Sequence, residues 1–160
     1  MASVDRESIH LIREVAVRYV GRSVRIGSAI RRPTEVAEFM RRVVRDDARE
    51  HFVALYLDGR HRPIAHQVVS VGTASSSLVH PREVFQPAIL VGACAAIVGH
   101  NHPSGDPTPS REDRDVTRRL AQAGALLGVP LLDSVVWTRG AHYASVRELE
   151  PSLFDAPSRA

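Results

Sequence analysis

Apolar and polar positions change period several times along this chain, and each change marks an element. In residues 6–20 (RESIHLIREVAVRYV), Ile9, Ile12, Ala16 and Tyr19 share one face, which predicts an amphipathic helix ended by Gly21. Val24, Ile26, Ser28 and Ile30 alternate, as in an edge strand. Thr34 is suited to cap a second helix that carries Val36, Phe39, Met40 and Val43 inward. Strands follow over Phe52–Leu57 and Pro63–Val71, with Asp58-Gly59 beginning the turn between them. After the loop TASSS, Pro81 fits the first position of a helix running to about Ala93. Pro87 falls inside that pattern, and an interior proline costs about 3 kcal/mol, so a break or kink is expected there. AAIVG, residues 95–99, reads as a buried strand.

A helix over 110–128 carries the stripe Asp113, Val116, Leu120, Ala123 and Leu127, and Gly128 and Pro130 stop it. Leu131–Thr138 is a further strand and His142–Val146 another candidate. The tail from Pro151 is expected to be mobile. Strands interleaved with helices make an α/β layered domain. Residues 1–23 form a helical extension, 24–150 the domain and 151–160 a short tail.

The chemistry concentrates where the 95–99 strand meets the next helix, in HNHPSGDPTPSRED. His100 and His102 are two apart, so both imidazoles leave the same side of an extended chain and Asn101 faces away. Pro103, Gly105, Pro107 and Pro109 then forbid regular structure. Ser110 suits the N-cap and Asp113 falls at N3, so the loop can fold the first helical turn back over the histidines. Two histidines and a carboxylate are zinc ligands that leave one tetrahedral position open, as catalytic sites do. Ser110 and Asp113 also suit a plain helix cap, and an isolated HxH reads as loop residues. Four suitable residues in this one loop favour the metal.

The stretch resembles the JAMM (MPN+) metalloprotease motif, H-x-H-P, six residues, then S-x-x-D: Pro103 follows His102, Ser104 to Pro109 intervene, and Ser110 and Asp113 complete it. GHNHPSGDPTPSREDRDVT is similar to the RadC-type branch, and LVHPREVF and GVPLLDSVV resemble its flanking signatures. The likeness covers roughly residues 24–148. It implies a three-layer α-β-α MPN (JAB, cytidine-deaminase-like) domain around a mixed, curved sheet. It also implies Zn2+ held by His100, His102 and Asp113, with a glutamate from an earlier strand as general base. Spacing alone does not choose among the carboxylates. The resemblance points to Glu50, whose plainer role is an exposed acid closing a helix, and Glu83 is the runner-up, although it also suits a helix first turn.

By the same likeness, Glu50 takes a proton from zinc-activated water, Ser110 donates to the developing oxyanion, and a peptide or isopeptide bond is hydrolysed. The substrate is then a protein or peptide, a ubiquitin-like tail being one candidate. Ser134 departs from the branch, which usually has His after the Asp of LLD.

Composition removes other classes. The net charge is +3 and every basic residue is arginine. These arginines are interleaved with acids, as in RRVVRDDARE, and aromatics make up only 5%, so stacking platforms for nucleic acid are scarce. DNA is the less favoured partner, and the helix-hairpin-helix domain that RadC-like proteins often carry is not expected here. A DNA-repair accessory role and a non-catalytic MPN scaffold are the alternative functions. Zinc base deaminases need P-C-x-x-C, which one cysteine excludes. That residue, Cys94, is expected to pack as a small apolar side chain. No apolar run reaches the ~18 residues of a membrane span and no leader pattern is present, so a cytoplasmic setting is expected. His10, His51, His61, His66, His80 and His142 lack ligand spacing.

Overall fold

Pro33 presets the backbone angle of a helix's first turn, and α1 spans Pro33–Val43. The computed structural model describes residues 30–72 and 79–155. The helix over 6–20, the strand start at Val24 and the TASSS loop lie outside them. Arg32, not Thr34, is the N-cap of α1. The proline sets the start two residues earlier than the sequence pattern suggests. Glu35 closes the cap from below, accepting from the Arg31 and Arg32 amides at 2.7 and 3.1 Å. Val36, Phe39 and Met40 are buried as their spacing predicts.

Strands β1 (Glu50–Leu57) and β2 (Pro63–Gly72) form an antiparallel hairpin. The Asp58 carboxylate builds its turn by accepting from the amides of Arg60 and Arg62, both at 2.9 Å. Helix α2 spans Pro81–Leu90 and is continuous across Pro87, so of the expected break or kink the break does not occur. Glu83, whose carbonyl loses its partner there, is exposed, so water can satisfy that group. The Tyr56 hydroxyl also donates to the Val84 carbonyl at 2.8 Å, tying this turn to the sheet. The helix ends three residues after the proline, not near Ala93.

Strand β3 (Ala95–Asn101), helix α3 (Arg111–Leu127) and strand β4 (Leu131–Trp137) form a crossover unit, and β3 and β4 pair in parallel. Strand β5 (Tyr143–Ser145) adds antiparallel to β4. The order is β2-β1-β3-β4-β5 in one five-stranded mixed sheet. Alternation along each strand loads both faces. Val53, Leu55, Leu57, Ile97, Val135 and Trp137 pack with α1. Ala54, Tyr56, Ala96 and Val98 pack with Val84 and Phe85 of α2 and Val116 and Leu120 of α3. The result is the expected three-layer α/β architecture. Covered on both faces, β3 is buried at every position, which is why it reads as an unbroken apolar run. No helix among the described residues is long and apolar enough to cross a membrane.

The inward face of α3 is Val116, Thr117, Leu120, Ala121 and Gly124. Leu127 is exposed instead, one turn past the sheet's cover. Cys94 is also exposed, not packed: it lies in the turn leaving α2, where its amide donates to the Leu57 carbonyl at 2.8 Å. The chain after β5 is ordered further than expected. Helix α4 (Val146–Leu149) leads to a 3-10 turn at Pro151–Phe154. Leu153 is buried there, and the Arg147 guanidinium lies 4.8 Å from the Phe154 ring centroid.

Asp133 locks this corner. Its buried carboxylate accepts from the Ser145 hydroxyl at 2.7 Å and from the amides of Ser134 and Arg147 at 2.7 and 3.1 Å. Burial raises its pKa, and those three bonds oppose the rise.

Gly124 marks the closest approach of α3. A Cβ there would stand 2.5 Å from the Val129 carbonyl oxygen and 2.9 Å from the Phe85 ring. Alanine favours a helix over glycine by about 1 kcal/mol, but overpacking costs about 1–3 kcal/mol. Gly124→Ala should therefore lower the urea midpoint. A raised midpoint would show that Val129 and Phe85 give way freely.

Candidate metal centre

Strand β3 delivers its last side chains in strict alternation. His100 projects to the α3 side, beside Phe52, with ring centroids 6.1 Å apart and planes 8° from parallel. Its Nδ1 is buried without a hydrogen-bond partner. Packing holds that ring, and Nε2 is the nitrogen it offers to polar neighbours. His102 lies one residue past the strand, where its amide still donates to the Trp137 carbonyl at 2.9 Å. Its Nδ1 lies 2.8 Å from the Asp106 carbonyl oxygen. A carbonyl only accepts, so Nδ1 carries the proton and the neutral ring keeps its Nε2 lone pair, the usual arrangement for a metal-binding histidine.

Helix α3 brings the third group. Ser110 is its N-cap: Ser110 Oγ accepts from the Asp113 amide at 3.1 Å, and Asp113 Oδ2 accepts from the Ser110 amide at 2.7 Å. This reciprocal box aims the carboxylate back over the end of β3. Asp113 Oδ1 lies 3.1 Å from His100 Nε2, and Oδ2 lies 3.4 Å from His102 Nε2. The two Nε2 atoms are 2.9 Å apart. A tetrahedral zinc with bonds of about 2.0–2.1 Å sets its ligand atoms about 3.3 Å apart. The three groups fit such an ion within a few tenths of an ångström, and they are the group of described residues that could hold a metal.

Burial alone would raise the Asp113 pKa, but hydrogen bonds from His100 and His102, the charge of His100 and the Ser110 amide hold it well below the ordinary carboxylate range. The same contact with Asp113 raises the His102 pKa; burial opposes this, while the Asp106 carbonyl and the charge of Glu50 add to it.

Glu50 is the first residue of β1, half-buried, and its charge reaches His102. His51 turns to the opposite face, as strand alternation requires. Glu83, the runner-up, is occupied as N3 of α2, where it accepts from the His80 amide at 3.3 Å. His80 caps that helix, its Nδ1 accepting from the Arg82 amide at 3.2 Å, and His66 sits edge-on to Phe39. The Asp106 carbonyl and the Asn101 side chain escaped the sequence reading. Backbone acceptors leave no residue-type signal, and Asn101 looked only like a residue facing away.

A family model for the RadC-like JAB domain matches residues 30–151, and the chain belongs to that family. It is 47% identical over 114 residues to a UPF0758 protein of Trichlorobacter lovleyi, covering 71% of this chain and 50% of that one. UPF0758 proteins of Geobacillus sp. (strain WCH70) and Rubrobacter xylanophilus are 45% and 44% identical, over 81% and 88% of this chain and 55% and 60% of theirs. The chain thus spans about half the length of the curated relatives it matches.

Zinc binds only neutral imidazole and ionised carboxylate, so protons compete with it. Because the His102 pKa is raised above 6.5, this competition begins on the neutral side of that value. Zinc affinity of the metal-free protein, measured against a chelator, should fall steadily as pH drops from about 8 to 6. Asp113→Asn removes the main cause of the raised pKa, so its weaker binding should be flatter over that window. A parent affinity independent of pH there would contradict the coupling.

Proposed function

We propose that this chain is a zinc-dependent hydrolase of peptide or isopeptide bonds. His100, His102 and Asp113 hold the ion, Glu50 is the general base, and Ser110 donates to the oxyanion. The supporting observation is the convergence of both Nε2 atoms and the Asp113 carboxylate on one point that the charge of Glu50 reaches. A bound zinc ion supplies Lewis acidity, which makes water a competent nucleophile near pH 7.

The chain's own groups do the rest. Glu50 takes the proton of the attacking water and returns it to the leaving amine. Ser110 Oγ uses a lone pair on the Asp113 amide, and a hydroxyl has one proton and two lone pairs. Capping therefore leaves the Ser110 proton for an oxyanion. A serine-histidine-aspartate triad is disfavoured, because both Nε2 atoms already face Asp113.

The substrate in this reading is a protein or peptide, with a ubiquitin-like tail as one candidate, in a cytoplasmic setting. A DNA-associated role has less support. Surface arginines pair with acids, locally in Arg32–Glu35, Arg49–Asp46, Arg62–Asp58 and Arg118–Asp115 and across the fold in Arg139–Asp47, which leaves less charge for phosphate. A scaffold that had lost catalysis would have no use for an intact ligand set.

Elemental analysis of the purified protein should find close to one zinc per chain, with most of it lost in His100→Ala and Asp113→Ala. Glu50→Gln should keep its zinc while hydrolysis of a peptide library falls by about 10²-fold or more. Undiminished cleavage by that variant would remove Glu50 as the base, and a zinc-free parent would remove the metal.

Ser110 can be divided into its two roles. Glycine caps a helix nearly as well as serine, whereas alanine costs about 1 kcal/mol. Ser110→Gly should keep the thermal midpoint close to that of the parent yet cut turnover by about 10²-fold. Full turnover in Ser110→Gly would leave Ser110 as a cap only.

A further inference from the structure

Asn101 lies between the two histidines, yet its side chain leaves the other face of the sheet and is 1% exposed. The antiparallel ladder between β1 and β3 ends with Phe52 opposite His100. Past that pair the β3 backbone turns to β4, as the bond from His102 to the Trp137 carbonyl shows. The start of β1 would be left without a partner on this side. The Asn101 amide takes the place of the missing strand. Its Oδ1 accepts from the His51 amide at 2.7 Å, and its Nδ2 donates to the Arg49 carbonyl at 2.8 Å. The His51 ring lies against the same carbonyl, with Nδ1 2.9 Å from the oxygen. Arg49 and His51 are the residues on either side of Glu50.

We propose that Asn101 is a positioning residue for Glu50: by holding the peptide groups on both sides of it, Asn101 fixes the direction in which the Glu50 carboxylate faces the metal centre. The inference rests on Glu50 being the general base. The task requires one donor and one acceptor on a short side chain in a place shut to water. Asparagine has both, aspartate lacks the donor and leucine lacks both. Losing the clamp does not release β1, because Glu50 and His51 remain paired with Gly72 and Val71 of β2. What relaxes is the orientation of the strand's first residue.

The test uses acetohydroxamate, a small chelating acid whose proton a neighbouring base accepts when it binds a metal. Its affinity is measured by calorimetry on zinc-loaded parent, Glu50→Gln, Asn101→Leu and the double variant. Glu50→Gln should weaken binding by about 10-fold. Asn101→Leu, with full zinc, should weaken it by a similar factor. The double variant should be no weaker than Glu50→Gln alone, since two residues acting through one group are not additive. Asn101→Asp, which keeps the acceptor for the His51 amide, should fall between parent and Asn101→Leu.

If Glu50→Gln binds as tightly as the parent, the general-base reading falls, and this inference with it. If Glu50→Gln is weakened and Asn101→Leu is not, the positioning role alone falls. Additive losses in the double variant would also overturn it, since Asn101 would then act through another group. Should Asn101→Leu fail to fold, Asn101→Asp is compared with Glu50→Gln in the same cycle. Loss of fold or zinc in both Asn101 variants makes Asn101 a structural residue and overturns the inference.

Discussion

Two reciprocal hydrogen bonds between Ser110 and Asp113 hold the candidate centre together. They satisfy backbone groups that any helix start must satisfy, and they give the Asp113 carboxylate one direction. That direction is useful only because α3 starts beside the end of β3. The parallel pairing of β3 with β4 places it there, since a crossover helix must begin near the end of the first strand and return to the start of the second. Helix cap, crossover and the geometry of the His100, His102 and Asp113 cluster are three consequences of one chain reversal. The chain spends no residue on the third that the first two do not already require, apart from the histidines.

The electrostatics of the cluster follow from its closeness. Three lone-pair donors within hydrogen-bonding distance of one another, partly shut from water, form a poor resting arrangement without a cation. The lowered Asp113 pKa and raised His102 pKa express this, because both shifts favour positive charge beside the carboxylate. His102 is held by the Asp106 carbonyl and His100 by packing against Phe52. Neither ring needs metal to find its orientation, and such preorganisation is what keeps a metal site in geometry.

Much of this was legible in the chain. The clustering of His100, His102 and Asp113, the cap, the strand before it, the Gly128 stop and the layered α/β class all follow from residue type and period. The failures have physical reasons. Thr34 looked like a cap because capping is judged by side chain, but Pro33 sets the first turn. Pro87 looked like a break, yet the orphaned carbonyl belongs to an exposed residue near the helix end. Leu127 continued the helical stripe beyond the part of α3 that has a sheet beneath it. Cys94 sits in an apolar run whose turn faces water. The 3-10 turn after Pro151 depends on the burial of Leu153, which no local pattern reveals.

The sequence by itself determined which atoms could serve a metal. Ligand chemistry is a property of residue type, and the spacing of His100, His102, Ser110 and Asp113 allows few foldings of so short a loop. Only the tertiary structure decided what surrounds them. Glu50 lies fifty residues before His100, and it reaches the site because β1 pairs antiparallel with β3, a contact that no local spacing encodes. The same holds for Asn101. Its amide substitutes for a strand partner at the place where two strands diverge, and such divergence exists only once the sheet has formed.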